Sequence, residues 1–227
     1  RAIRSHFGGF QLKFPGVEIY YTLEEEASPT TQSSRYTEPI VLEKTAHLRA
    51  FAAKNGWQNS PLVESVFVKK KYTLSKATLT KPPSPKYPFK GAPALIDGKI
   101  SDYRESDTWL GYEGEHLEAT LDLGEQKAVS AVFVHCLEYN GAWIHLPSSI
   151  RISVSDDGKK FTPQTTIKTP ENKAMGEHKP HLISCRLPSV VNARFVRVNV
   201  QSLLKNPSWH PGKGQKCWIF VDEMLVE

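Results

Sequence analysis

The chain has 227 residues, 39% of them apolar and 10% aromatic, with a formal net charge of +5. That content excludes a disordered chain, and no apolar run approaches the ~18–20 residues that cross a bilayer as a helix. The basic excess is small, and its one dense run, Lys69-Lys70-Lys71, lacks the interleaved aromatics of a nucleic-acid platform. In chain order, Val17-Glu18-Ile19-Tyr20-Tyr21-Thr22 alternates and is rich in β-formers. Ala46 to Ala52 alternates apolar with polar and meets a turn at Lys54-Asn55-Gly56, and Ser65-Val66-Phe67-Val68 closes the segment. Prolines then cluster in Lys81-Pro82-Pro83-Ser84-Pro85-Lys86-Tyr87-Pro88, which predicts an extended, semi-rigid linker. Beyond it the pattern is again β: Leu117, Ala119, Leu121 and Leu123 share one strand face. Ala131–Val134 is a short buried run. Ile150, Ile152 and Val154 alternate up to a hairpin turn at Asp156-Asp157-Gly158, and Val196, Val198 and Val200 alternate in the same way. Trp218–Val221 and Met224–Val226 supply closing strands.

The expected architecture is therefore all-β: a small immunoglobulin- or fibronectin-like sandwich over 1–78, a proline-rich linker over 79–89, and a jelly-roll sandwich over 90–227. The chain starts at Arg1 without an initiator Met, which reads as a fragment or a processed product. Three cysteines are too few for a disulfide scaffold. The settings of Cys136 and Cys185 suit buried free thiols, and a single disulfide would leave one thiol over.

Two family resemblances sharpen this. Glu18–Thr22, Ser34–Ile40, Leu48–Ala52, Asn55-Gly56 and Ser60 together resemble the C-terminal domain of chitobiases and β-hexosaminidases. Where that family runs its first strand into an Asp-Gly-Ser turn and Glu-Pro-Thr, this chain keeps Pro29-Thr30 and lacks the Asp-Gly. Asp97-Gly98, Thr108-Trp109, Leu121–Gly124, Ser155–Gly158 with Phe161, Ala193–Val198 and Trp218–Met224 resemble, in order, a discoidin or factor V/VIII type C domain. In glycosidases that domain is a family 32 carbohydrate-binding module. Trp109–Gly114, Gly141–Pro147 and Trp209–Gly214 are similar to modules at the C-terminus of Bacteroides-type family 20 hexosaminidases, and related strings accompany family 2 β-galactosidases.

The resemblance implies a structural Ca2+ ion between Asp97 and Glu223, with Asp102 and Thr108 competing for a third ligand position. Sugar contact needs an aromatic for the C–H face of a ring and polar groups for its hydroxyls. The candidates are Tyr112 and His116; Tyr139, Asn140 and Trp143; and Trp209 and His210. Trp109 stands where the family buries its tryptophan, which makes Trp143 and Trp209-His210 the better loop candidates. Galactose-binding members commonly place an Arg and an Asn after the strand at 131–135. Here Cys136–Asn140 contains no Arg, which points away from that site type.

Adjacent carboxylates at Asp156-Asp157 and Asp222-Glu223 cannot flank one scissile bond, so the fragment itself is not expected to be an enzyme. The resulting expectation is a pair of accessory modules of a secreted β-N-acetylhexosaminidase, periplasmic, extracellular or on the cell surface. Their partners would be glycans ending in GlcNAc, GalNAc or galactose and the parent's catalytic domain, with no nucleic acid and no membrane insertion. The alternative is two purely structural domains that support a catalytic barrel or an oligomer interface without binding sugar.

Overall fold

The computed structural model describes residues 15–24, 27–101, 104, 106–169, 171, 173–176 and 178–227. The chain divides into two compact units, 1–70 and 71–227.

The first unit is a four-stranded antiparallel sheet in the order β2-β1-β3-β4. Its strands are β1 (Glu18–Thr22), β2 (Ser34–Arg35), β3 (Ala46–Ala53) and β4 (Val63–Phe67). The alternation seen in the sequence sets which side chains turn inward, with Ile19, Ala46, Leu48 and Ala50 buried, and Phe51 is buried on the opposite face. Tyr20 stacks on Phe51 across the β1–β3 pair, with ring centroids 5.8 Å apart.

The second unit is a β-sandwich made largely from two long strands, β7 (Leu117–Glu138) and β10 (Lys179–Gln201). Each serves both layers. Leu117–Asp122 pairs with Phe195–Val200, while Ala131–Glu138 pairs with Lys179–Arg186. Register shifts between Arg186 and Val191, and between Ala193 and Phe195, let the ribbon turn from one layer into the other. The first layer is completed by β5 (Lys76–Leu79), β8 (Ser149–Ser155) and β9 (Thr162–Lys168). The second is completed by β11 (Trp218–Val226), which pairs with β7 and with β6 (Leu110–Glu113). One apolar core joins the layers, with Ala119, Leu121, Ile152 and Val198 meeting Val132, Val134, Val221 and Met224.

The expected linker at 79–89 belongs to the second unit, whose boundary falls at Lys70/Lys71. Leu79 is the last residue of β5, and the chain after it runs along β6: Ser84 N donates to Gly111 O at 2.8 Å and Gly111 N to Tyr87 O at 3.0 Å. Tyr87 packs edge-on to Trp218 (5.2 Å) and against Phe220 (4.7 Å). Proline removes donors, but its neighbours' carbonyls and a packed ring still hold the segment. Chain poor in N–H groups is also well suited to covering a sheet edge. Gly111 makes the approach possible, because a Cβ there would lie 2.8 Å from both Tyr87 and Phe220.

All three cysteines are free and buried. Burial pushes the thiols up, Cys185 to about 12 and Cys217 to about 11, so none carries thiolate chemistry at neutral pH.

Candidate functional site

Three connections of the second unit meet at one place: 139–148 after β7, the segment at Ala174-Met175 after β9, and 202–217 after β10. Gly141 N donates to Met175 O (3.0 Å), and the carboxamide nitrogen of Asn140 donates to Ala174 O (3.0 Å). Gly212 closes against Trp143, where a Cβ would sit 2.8 Å from the indole. The loop expected from Cys136 onward begins only at Tyr139, because β7 continues through Glu138.

A buried polar network underlies these loops. Asn140, His145, Asn206 and His210 are each 3% exposed or less. His210 Nδ1 accepts from Gly212 N at 2.9 Å, so its proton is on Nε2, which donates to Asn140 O at 2.9 Å. His145 Nδ1 faces the Asn140 oxygen (2.7 Å), an atom fixed by that amide's nitrogen bonds. Its Nε2 faces the Asn206 side chain at 2.8 Å. Burial pulls His145 below its ordinary pKa and keeps the ring neutral. A neutral ring protonated at Nδ1 needs a donor at Nε2, so the Asn206 amide turns its nitrogen there. That also satisfies a nitrogen otherwise buried without an acceptor. Glu138, 2% exposed, extends the network to His181 Nε2 at 2.9 Å.

On this base stand three partly exposed aromatics: Tyr139, Trp143 and Trp209. Trp143 has φ 67°, a left-handed backbone that few non-glycine residues adopt. It is held there by Trp143 N to Asn140 O (2.9 Å) and Trp218 N to Trp143 O (2.8 Å). Trp209 sits edge-on to His145 and His210, and its indole N–H donates to Glu171 at 2.7 Å. Tyr139 stacks on His178 at 4.0 Å. The exposed groups Glu171, Lys173 and His178 form a hydrogen-bonding rim.

The structure thus brings five of the seven expected sugar contacts together and sorts them. Tyr139, Trp143 and Trp209 present surface. Asn140 and His210 do not: both are buried, the Asn140 side chain bonds His145 and Ala174 O, and His210 Nε2 bonds Asn140 O, so they are scaffold. The other two lie elsewhere. Tyr112 is 2% exposed, its hydroxyl donates to Lys81 O at 2.9 Å, and burial pushes its pKa up, so no sugar can stack on it. His116 accepts from Ser202 N at 3.1 Å. Trp109 is fully buried and stacks on His135. The sequence reading missed the roles of Glu138, His145, Asn206 and Glu171. Only His145 carried a signal, as a polar residue in Gly141–Pro147 between Ile144 and Leu146.

The expected ion ligands fare differently. Glu223 is 1% exposed on β11 and accepts from Gly98 N at 3.0 Å, which seats the Asp97-Gly98 turn on a buried carboxylate. Next to it Asp222 pairs with His135 Nδ1 at 2.5 Å and accepts from Ser101 N at 2.6 Å. The Asp97 carboxylate accepts from Lys99 N at 2.9 Å and lies 3.8 Å from Lys90 Nζ. The Thr108 carbonyl faces Ser101 Oγ at 3.5 Å. Asp102 lies outside the described residues. Among the described residues no three His, Cys, Asp or Glu side chains converge as a metal-ligand group. The buried Glu223 carboxylate against the 97–98 turn is an oxygen donor of the kind a hard cation takes.

These features define an antiparallel β-sandwich whose loops, at one place, carry aromatic and hydrogen-bonding side chains over a fixed polar base. The model of the F5/8 type C domain family matches residues 76–222, more than half of the chain, and the chain belongs to that family. Residues 10–67 match the Fn3-associated family model. A search of curated proteins gives no match. Three solved structures illustrate the likeness. The C-terminal domain of a chitobiase from Bacteroides fragilis is 16% identical, with 70% of this chain and 95% of that one covered and a TM-score of 0.45. The module CpGH89CBM32-5 from Clostridium perfringens, in complex with GalNAc-β-1,3-galactose, is 19% identical, with 66% and 93% covered and a TM-score of 0.42. Chitosan-binding module 1 of a chitosanase/glucanase from Paenibacillus sp. IK-5 is 18% identical, with 68% and 96% covered and a TM-score of 0.41.

Proposed function

We propose that the second unit is a non-catalytic carbohydrate-binding module of a secreted glycoside hydrolase, with a family 20 β-N-acetylhexosaminidase as the favoured parent. The observation that carries this reading is Trp143. A tryptophan held in left-handed backbone, partly exposed beside Trp209 and Tyr139, is backbone strain kept at an aromatic surface. Sugar rings would stack on these faces, and Glu171, Lys173 and His178 would meet hydroxyls at the rim. Ligands ending in GlcNAc, GalNAc or galactose are the classes to test, and the missing Arg after β7 argues against the usual galactose geometry. The module would act on a linked catalytic domain by raising effective substrate concentration rather than by chemistry. Calorimetric titration with glycans of these three classes tests it: binding is expected, and Trp143→Ala and Trp209→Ala should each weaken it about tenfold or more.

We also propose a structural calcium ion held by Glu223 and Asp97, with Asp102 or Thr108 completing the set. Its chemistry would be to offset the buried carboxylate and fix the loop after Asp97. Calcium at about 100 times its Kd adds roughly 2.7 kcal/mol to stability. EDTA should therefore lower the melting temperature by several degrees and added calcium should restore it; a melt indifferent to both would remove the ion from the account.

A further inference from the structure

The first unit carries an aromatic platform of its own. Lys54-Asn55-Gly56-Trp57 follows β3 as a β-turn, with Trp57 N donating to Lys54 O at 3.0 Å. Gly56 has φ 76° while Asn55 keeps a negative φ, the combination of a type II turn, which calls for glycine at that place. Ser60 pins the loop at its far end: its backbone N–H donates to Ala52 O and its hydroxyl accepts from Ala52 N, both at 2.9 Å. The tip is therefore held at both ends, and Trp57 stands on it 71% exposed, the most exposed tryptophan among the described residues. Lys54 Nζ covers one face at 5.2 Å from the ring centroid. Among the described residues no other ring packs on the opposite face.

The chemistry around the ring selects the occupant. Asn55, Gln58 and Asn59 flank it, all exposed and all carrying an uncharged carboxamide with donors and acceptor on one group. The apolar exposures at Leu62 and Val63 come only after the Ser60 pin, so the tip offers one flat apolar face in an amide rim and no continuous apolar patch. A flat face plus paired donors and acceptors suits a pyranose, with its C–H face and vicinal hydroxyls. An anion would want more than the single cation Lys54, and a protein hot spot would want apolar neighbours around the ring. We propose that the 54–60 turn is a second saccharide-contact site, with Trp57 stacking on the ring and Asn55, Gln58 and Asn59 bonding its hydroxyls. It does not rest on the reading of the second unit.

The test uses the full chain labelled with 5-fluorotryptophan. Its five tryptophans give five fluorine resonances, assigned by single Trp→Phe variants. Chitohexaose, cellohexaose and a galactan oligosaccharide are titrated in turn. The Trp57 resonance should move saturably with at least one of them, and should still do so in a Trp143→Ala/Trp209→Ala variant. Asn59→Ala should shift the Trp57 midpoint about threefold or more while the melt stays unchanged. A Trp57 resonance fixed up to the solubility limit of all three sugars overturns the proposal, whether or not Trp143 and Trp209 respond. Movement of Trp57 alone would uphold it and remove GlcNAc and galactose as ligands of the second-unit site.

Discussion

Trp109→Ala should lower the stability of the second unit by about 3–5 kcal/mol, the cost of deleting a fully buried tryptophan and leaving a cavity. At roughly 2–4 °C per kcal/mol for a domain of this size, its melting transition should fall by roughly 6–20 °C. The side chain lies in a small core with Leu137, Ile144, Trp218 and Phe220, and it stacks on His135 at 5.2 Å. His135 in turn holds Asp222, and Asp222 accepts the Ser101 N–H, so the cavity would also loosen the loop after Asp97. Urea unfolding followed by fluorescence measures the effect. A change within about 0.5 kcal/mol is typical of an exposed site and would return Trp109 to the surface.

Asn140→Ala should be nearly as costly, about 2–5 kcal/mol, because it strips the acceptor from His145 Nδ1 and the donor from Ala174 O in a buried setting. It should also weaken glycan binding, since the loop that carries Trp143 is tied through this residue. The network has a pH signature. Burial holds His145 below its ordinary value of 6.5, so the unfolded chain takes up a proton there before the folded chain does. Above 6.5 both states are neutral and nothing is lost. As pH falls below 6.5, stability should decline until the folded ring also protonates. Thermal melts of wild type and His145→Gln between pH 5 and 8 check the sign: the variant should show the shallower decline.

Much of the sandwich was legible because its signal is local. Alternation at Leu117–Leu123, Ile150–Val154 and Val196–Val200 names buried faces, and each of those residues on the apolar phase is buried. What was not legible depends on partners far apart in sequence. β5 (Lys76–Leu79) is four residues with one buried side chain, and it is a strand only because Ala119–Asp122 lies beside it. The proline-rich segment was read as a linker because proline's local effect is plain, while its packing through Tyr87 onto Trp218 spans more than a hundred residues. At the site, residue type marked the right loops but not the depth of each side chain. Trp209 and His210 are neighbours in sequence, yet one is at the surface and the other is 3% exposed beneath it. Tyr112 looked like a platform beside Gly111 and Gly114, but it is on a strand whose alternation turns it inward.

If the loops around Trp143 and Trp209 bind sugar, isothermal titration of the full chain with GlcNAc-, GalNAc- and galactose-terminated glycans in the presence of calcium should detect it. Saturable heat is expected with at least one class, reduced about tenfold or more in affinity by Trp143→Ala or Trp209→Ala. No heat with any of the three, or affinity unchanged in both variants, would contradict it and leave the second unit as a structural domain.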